Sequence, residues 1–264
     1  MKLVKDLKGN KKIVIVMPAY NAAETLAATL AGIPDWCYDE IILVDDGSTD
    51  KTVELARQSA IHKVIVRDKN GGYGANQKTC YGAALEAGAD IVVLLHPDNQ
   101  YNPAIIPNMV FPILLDQADV VFASRFIQDP VKGGALAGGM PLLKFVVNKA
   151  LTFTQNLLMG SHFSEFHTGY RAYTKEVLRR LDISQLSDDF VFDNQIIAPM
   201  VELKLRICQI GVETRYFAEA SSISLLRGMR YAWGCLGVGL NYFLHRKNIQ
   251  SWDLLERVIR PKID

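Results

Sequence analysis

Four short stretches place reactive side chains at intervals that could serve catalysis. In residues 44–50, Val-Asp-Asp-Gly-Ser-Thr-Asp, the carboxylates of Asp45 and Asp46 stand beside a glycine that allows a turn. Carboxylates so placed can accept hydrogen bonds from a ribose or a base edge; they suit a turn and helix cap equally well. In residues 95–100, Leu-His-Pro-Asp-Asn-Gln, His96 and Asp98 are two ligand-type side chains separated by one residue. Such a pair can hold a divalent cation bridging phosphates, Mg2+ or Mn2+, with Mn2+ the more tolerant of imidazole. The alternative is a Pro-Asp turn with a histidine facing solvent. Residues 165–171 gather Glu165, His167, Tyr170 and Arg171, and residues 187–193 hold Asp188, Asp189 and Asp193 at or just before a helix start. The latter carboxylates can offset a helix dipole or act as a general base or acceptor-positioning group.

The elements that must position these groups follow from hydrophobic pattern. Residues 12–17, Lys-Ile-Val-Ile-Val-Met, form a continuous β-rich run ended by Pro18, as expected of a strand buried on both faces. A helix is predicted over 21–30, with Asn21 as cap and Glu24 completing a capping box. Strands are predicted over 40–44, 63–66, 90–95, 120–123, 170–173 and 205–212, and helices over 48–59, 75–87, 142–159 and 192–203. Glycines mark two loops, 70–74 and 133–139, the second read as mobile, and a glycine-spotted helical extension follows Ser222. Alternating strands and helices give a mainly parallel sheet with right-handed crossovers. Ligands bind such a sheet at the C-terminal ends of its strands. Tyr20 and Asn21, Asp45 and Asp46, Asn70, and His96 with Asp98 should therefore converge on one crevice.

Composition narrows the function. The chain has 264 residues, 49% of them hydrophobic, and a formal net charge of +1. That apolar fraction excludes a disordered chain, and the balanced charge argues against a nucleic-acid partner. Four cysteines, Cys37, Cys80, Cys208 and Cys235, lie far apart without CxxC spacing. They suggest neither a zinc site nor a disulfide framework, and a cytoplasmic location follows. No run reaches the roughly 18–20 apolar residues of a membrane span. Residues 142–159 and 227–247 mix aliphatic and aromatic side chains with basic ones. They suit helices lying in a membrane interface, or else core packing or a homodimer contact.

Taken in order, the stretches resemble the family 2 glycosyltransferases with the GT-A (Rossmann-like) fold, and within them the dolichyl-phosphate mannose synthase-like branch. The resemblance runs over residues 11–225. It rests on residues 18–21 with Glu24, 44–50, 70–74, Asp98-Asn99-Gln100 with Pro103, Ser124-Arg125-Phe126, Gly133-Gly134, 169–172, and Arg215 with Ser221-Ser222. It implies a catalytic domain over 1–225 and a helical extension over 226–264, the latter in contact with a membrane. By resemblance, Pro18, Tyr20, Asn21, Glu24, Asp45, Asp46, Asn70, Gly71, Gly74 and Gln100 serve the nucleotide-sugar. Asp98 holds the cation on its diphosphate, and Arg125 and Arg215 contact phosphate through a guanidinium fork. His167, Tyr170, Arg171 and Asp188 stand on the acceptor side, and Asp189 occupies the place of a general base.

Two departures from the family pattern stand out. The usual metal motif is Asp-x-Asp, and His96 replaces its first carboxylate. Either His96 ligates the metal, or Asp98 holds it alone with phosphate and water, or binding needs no metal. The second is favoured. The lysine usual near Ser221-Ser222 is also missing. The implied reaction is single-displacement transfer with inversion from a UDP- or GDP-sugar to a polyprenyl or dolichyl phosphate at the inner face of the membrane. An ionised lipid phosphate, with a second pKa of about 6, attacks without a base. The alternatives are a saccharide hydroxyl acceptor, which needs one, and a nucleotide-sugar-binding protein weakened in catalysis at His96. Because no long apolar run is present, membrane contact would be through surface helices or a separate membrane partner.

Overall fold

A computed structural model describes residues 7–128, 134–216 and 225–261. Gly133, Ser221 and Ser222 lie outside them. Seven strands form one sheet: β1 (Ile13–Ala19), β2 (Glu40–Asp45), β3 (Lys63–Val66), β4 (Ile91–Leu94), β5 (Val120–Ser124), β6 (Arg171–Thr174) and β7 (Ile207–Gly211), in the order β3-β2-β1-β4-β6-β5-β7. All neighbours are parallel except β6, which runs antiparallel to both β4 and β5. Every residue of β1 is buried, because helices cover both faces of the sheet. Strand side chains alternate between two core layers. Val14, Val16, Val92 and Leu94 face one layer with Cys80 and Tyr81 of α3 (Tyr73–Glu86). Ile13, Ile15, Met17 and Val93 face the other with Leu26 of α1 (Leu26–Ala31) and Met109 of α4 (Ile106–Leu114).

Several elements depart from their predicted bounds for local reasons. β1 continues through Pro18, which sits opposite Val44 one residue from the strand end. A proline there costs at most one ladder bond. The first helix starts at Leu26 rather than 21, and Asn21 is not its cap. Asn21 has φ +49°; its backbone N–H donates to Ser48 Oγ at 2.8 Å and its Oδ1 accepts from Thr49 N–H at 2.9 Å. The next N–H groups, of Ala22 and Ala23, go to Thr52 Oγ1 and Asp50 Oδ2. The neighbouring loop thus satisfies donors that a capping box would have served, and Asp45 and Asp50 do the same for the segment before α2 (Thr52–Gln58). The helix predicted over 192–203 is broken into α7 (Phe192–Gln195) and α8 (Ile197–Glu202). Pro199 lacks the N–H that would reach the Gln195 carbonyl and its ring crowds that carbonyl. α4 follows a turn at Pro103–Ile105 capped by Asn102. It was not predicted, because Pro107 and Pro112 interrupt its pattern.

α5 (Leu142–Met159) has its predicted bounds but an inverted polarity. Its buried residues are Asn148, Thr152, Gln155 and Met159, a stripe at i, i+4, i+7, i+11, while Leu143 is 73% exposed, Phe153 72% and Leu157 69%. After α6 (Lys175–Arg180), the C-terminal helices α9 (Leu225–Arg246) and α10 (Asp253–Val258) join the main core: Val238, Tyr242, Leu255 and Val258 pack in one cluster with strand residues. Asp182 N–H donates to the Val258 carbonyl at 2.6 Å, tying the end of α10 to the segment after α6. α9 lies close on its neighbours because Gly234 faces Val191 and Gly239 faces Leu158, where Cβ atoms would approach to 2.3 and 3.0 Å.

Candidate active site

The ends of β1, β2, β3 and β4 open on the same sheet edge, so the loops at residues 20–25, 45–50, 67–72 and 95–100 are adjacent. Tyr20 is 53% exposed on that edge, Glu24 is exposed beside it, and Pro18 is buried beneath. The two aspartates after β2 divide their work. Asp45 is fully buried and turned into its own loop: its carboxylate accepts from the N–H groups of Gly47 and Ser48 at 3.1 and 2.9 Å and from the Ser48 hydroxyl. It has the geometry of a turn cap and not of a ribose contact. Asp46 accepts from Arg67 Nη1 at 2.5 Å and from the N–H groups of Gly71 and Gly72 at 3.0 Å each. It anchors the glycine-rich loop.

That loop is glycine-rich for a reason the sequence did not reveal. A Cβ at Gly71 would meet the Arg67 guanidinium at 2.3 Å, one at Gly72 the Asp188 carbonyl at 2.6 Å, and one at Gly74 the Ser187 carbonyl at 2.3 Å. The glycines therefore admit other parts of the chain; Asn70, exposed beside them, is the loop residue turned outward. The Asp188 carbonyl accepts from Gly74 N–H at 2.8 Å and so supplies the N-terminus of α3 with a partner. Asn76, which the sequence did not single out, donates to the carbonyls of Ala19 and Val44 and holds the ends of β1 and β2 together.

At the end of β4, Asp98 Oδ1 accepts from Gln100 N–H at 3.1 Å and the Gln100 carbonyl accepts from Arg215 N–H at 2.8 Å. The exposed Arg215 lines a small cavity of about 110 Å³ with Asn99, Tyr101 and Asn102. His96 stacks on Tyr73, whose hydroxyl donates to Asp193 at 2.7 Å. Burial, and then the Asp193 charge, push the Tyr73 phenol far above its ordinary value, so it remains a donor. Among the described residues no cluster of three His, Cys, Asp or Glu side chains stands ready for a metal. A diphosphate-bound cation needs fewer protein ligands, and the Asp98 carboxylate, with one oxygen engaged by its own loop, fits that reduced role.

On the far side of β4 the arginines are already occupied. Arg125 donates through Nε to Glu165 at 2.6 Å, through Nη2 to Glu165 and to the His167 carbonyl, and through Nη1 to Tyr216 Oη at 2.8 Å. Burial opposes its charge, but Glu165, Tyr101 and Tyr216 together hold its pKa well above the usual value. Glu165 is fully buried. This arrangement orders the loop and does not offer a free phosphate clamp. Arg171 is also fully buried and donates to the carbonyls of Thr168, Asp193 and Phe166. Tyr170 points into the α1–α4 core layer. Tyr170 and Arg171, expected on the acceptor side, are thus core residues: β6 alternates its side chains between the two layers, and neither layer is the crevice. His167 bonds through Nδ1 to Tyr231 of α9 at 2.9 Å, and Asn194 donates to the same hydroxyl at 2.8 Å. Burial, then the Arg125 and Arg171 charges, lower the His167 pKa to about 3, which keeps the ring neutral. Asp188 pairs with Lys78 at 2.8 Å, and the exposed Asp189 accepts from Phe190 N–H. Arg67, Asn76, Tyr216 and Tyr231 carry this geometry without any motif that marks them; their signal is the partners they meet in the fold, which no single sequence displays.

The family model for "Glycosyl transferase family 2" matches residues 14–182. The chain belongs to this family. It is a glycosyltransferase, and its seven-stranded sheet is the GT-A fold. Among curated relatives of this glycosyltransferase, a UDP-N-acetylglucosamine–dolichyl-phosphate N-acetylglucosaminyltransferase of Methanococcus voltae is 28% identical over 235 residues, 83% of this chain and 90% of that one. An undecaprenyl-phosphate mannosyltransferase of Micrococcus luteus is 25% identical over 208 residues, 76% and 82% of the two chains. Among solved structures, glucosyl-3-phosphoglycerate synthase of Mycobacterium tuberculosis with Mg2+ and UDP superposes with a TM-score of 0.69 at 18% identity, covering 95% of this chain and 84% of that one. The same enzyme has been solved with Mn2+, UDP and glucosyl-3-phosphoglycerate.

Proposed function

We propose that this glycosyltransferase moves a sugar from a UDP- or GDP-sugar to a polyprenyl or dolichyl phosphate at a membrane surface. The observation that carries the lipid part is the inverted polarity of α5, where Leu143, Val146, Phe153 and Leu157 face outward while Asn148, Thr152 and Gln155 face in. A helix of a water-surrounded enzyme is apolar inside; this one suits an apolar surrounding on its outer side. α9 adds the exposed Trp233 and Leu240. Across both helices there is no acidic residue, while Lys144, Lys149, Arg227, Arg230 and Arg246 are basic, the charge expected of a face lying on anionic headgroups. Among the described residues no helix is long and apolar enough to cross a membrane, so the contact is peripheral. The curated relatives named above use the same class of acceptor. Residues 1–225 form the catalytic domain in this reading, and residues 226–264 an extension that packs on it.

The donor lies over Tyr20, Glu24 and the Asp46–Gly72 region, with Asp98, Gln100 and Arg215 around its diphosphate. A divalent cation, when bound there, neutralises the leaving nucleoside diphosphate; Asp98 would hold it. Arg215 adds positive charge at the mouth of the site, where the leaving group gains charge. The acceptor phosphate is largely ionised near neutral pH and displaces the diphosphate directly, with inversion. His167 remains a neutral group beside Tyr231 and Asn194 on the side that α9 covers. Asp189 is exposed and free of any ion pair among the described residues, which favours one second reading: it is the base for a saccharide hydroxyl.

Incubating the protein with labelled UDP- and GDP-sugars, Mn2+ and polyprenyl phosphate, followed by organic extraction, tests the proposal. Label in the lipid phase is the expected result. Transfer confined to a saccharide, and lost in Asp189→Asn, would replace the lipid reading with the second one.

A further inference from the structure

His96 stands where the family pattern has an aspartate, and its imidazole is held on several sides. The Tyr73 ring lies parallel to it, with centroids 5.5 Å apart and planes within 4°. Gly169 backs its edge: a Cβ there would come within 2.5 Å of His96 Cε1 and 2.6 Å of the Tyr73 hydroxyl. Nε2 is closed off from solvent and has no hydrogen-bond partner. Tyr73 lies in turn on Phe190, centroids 4.8 Å apart, and its hydroxyl is fixed by Asp193. One stack therefore joins three segments that are remote in sequence: the loop carrying His96 and Asp98, the first turn of α3, and residues 187–193.

We propose that His96 is a positioning residue, the end of a His96–Tyr73–Phe190 stack that sets the Asp98 loop against the Asp188–Asp189 segment, and not a ligand of the donor's cation. A ligand must turn a lone pair toward an ion shared with Asp98. An imidazole covered on its face by Tyr73, on its edge by Gly169 and at Nε2 by protein has little freedom to do so. A planar ring is what the stack requires, and a carboxylate in its place would have no face to offer Tyr73. The family's metal position has thus been given over to alignment of the donor loop with the acceptor-side segment. This rests on the reading that Asp98 serves the donor and residues 188–189 the acceptor.

The test uses the full chain with His96→Ala and His96→Phe, and two readouts that need no acceptor. These are amide hydrogen exchange at residues 187–193, and calorimetric UDP affinity with and without Mn2+. In His96→Ala, exchange at 187–193 is expected to quicken about tenfold or more, as a local opening loses its support. In His96→Phe it returns to the wild-type rate, and the Mn2+-dependent gain in UDP affinity stays within about threefold of wild type, below the ~10-fold that impairing a metal shell costs. Unchanged exchange in His96→Ala overturns the proposal, and so does a loss of about tenfold or more in the Mn2+-dependent gain in His96→Phe. Should His96→Phe not fold, Tyr73→Leu removes the middle ring and keeps the imidazole. Faster exchange at 187–193 with the Mn2+ gain intact then supports the stack, and unchanged exchange overturns it. Wild-type protein that binds no UDP at all would strike the donor reading instead, and the exchange comparison would still judge the stack.

Discussion

Buried ionisable residues dominate this site at the level of single side chains. Glu165 and Arg125 form a pair with almost no solvent contact. Removing one partner of such a pair strands the other charge in a medium that solvates it poorly. Glu165→Ala should therefore cost about 3–5 kcal/mol, read as a lower denaturation midpoint at unchanged m-value. Glu165→Gln, which keeps a hydrogen-bond acceptor, should cost less. His167 sets a pH dependence of known sign. Its folded pKa, about 3, lies below the ordinary value of about 6.5, so below pH 6.5 the unfolded chain takes up a proton that the folded one refuses. Stability from this residue is complete above that pH and declines as the pH falls toward 3. By pH 5 the loss is about 2 kcal/mol. Unfolding curves of the wild type and His167→Phe at pH 7.5 and pH 5 measure it: the wild type should lose more on acidification, by about that amount. Equal losses would show that the ring is solvated in the folded state.

Among the elements, the glycine-rich loop and α5 carry the expectations. Gly74 touches the Ser187 and Asp188 backbone and the Phe192 Cβ, where an added methyl would come within 2.3, 3.0 and 2.8 Å. Backbone atoms cannot swing aside as a flexible side chain can. Gly74→Ala should cost about 1–3 kcal/mol and displace residues 187–189 from α3, lowering both the melting temperature and UDP affinity. Gly82 of the same helix has open space around it, so Gly82→Ala serves as the control and should leave both intact or raise stability slightly. α5 ends at Gly160, in the left-handed region at φ +67°, and Arg246 Nη1 donates to the Met159 carbonyl at 3.1 Å. The end of α9 thus caps the end of α5, and the two helices present their outer faces as a unit.

For the whole molecule the consequence is a surface with a preferred orientation. Transferring a fully exposed Leu or Phe side chain into hydrocarbon is worth about 1.5–3 kcal/mol. Phe153→Asp with Leu157→Asp should reduce partitioning onto anionic vesicles by about tenfold or more, measured by flotation without any polyprenyl phosphate present. UDP affinity should be unaffected, since both residues lie on the outer face. A stable dimer in the absence of vesicles, dissolved by the same substitutions, would assign this face to a second copy of the chain.

The sequence by itself determined the architecture and the sheet edge on which the polar clusters meet. Runs such as residues 13–17 are apolar without interruption, so they must be buried on both faces, and polar clusters at their ends must share a sheet edge. Asp46, Asp98 and the 70–74 loop were found on that account, and the bounds predicted for α5, 142–159, are those it has. Tertiary structure alone decided what each polar group faces. Asn21 was a cap by pattern and became a strut between loops, because Ser48 and Thr49 reach it first. Gly71 and Gly74 are assigned to the nucleotide-sugar by resemblance, and the structure adds that they admit Arg67 and the 187–188 backbone. Tyr170 and Arg171 resembled acceptor contacts and lie in the core. Partners of this kind come from segments as far apart as Tyr73 and Asp193, and a one-dimensional pattern holds no record of such distances. The same is true of α5: its composition reads as amphipathic, but which side faces inward depends on whether the neighbours offer a polar partner, as Asn194 does to Gln155, or an apolar layer.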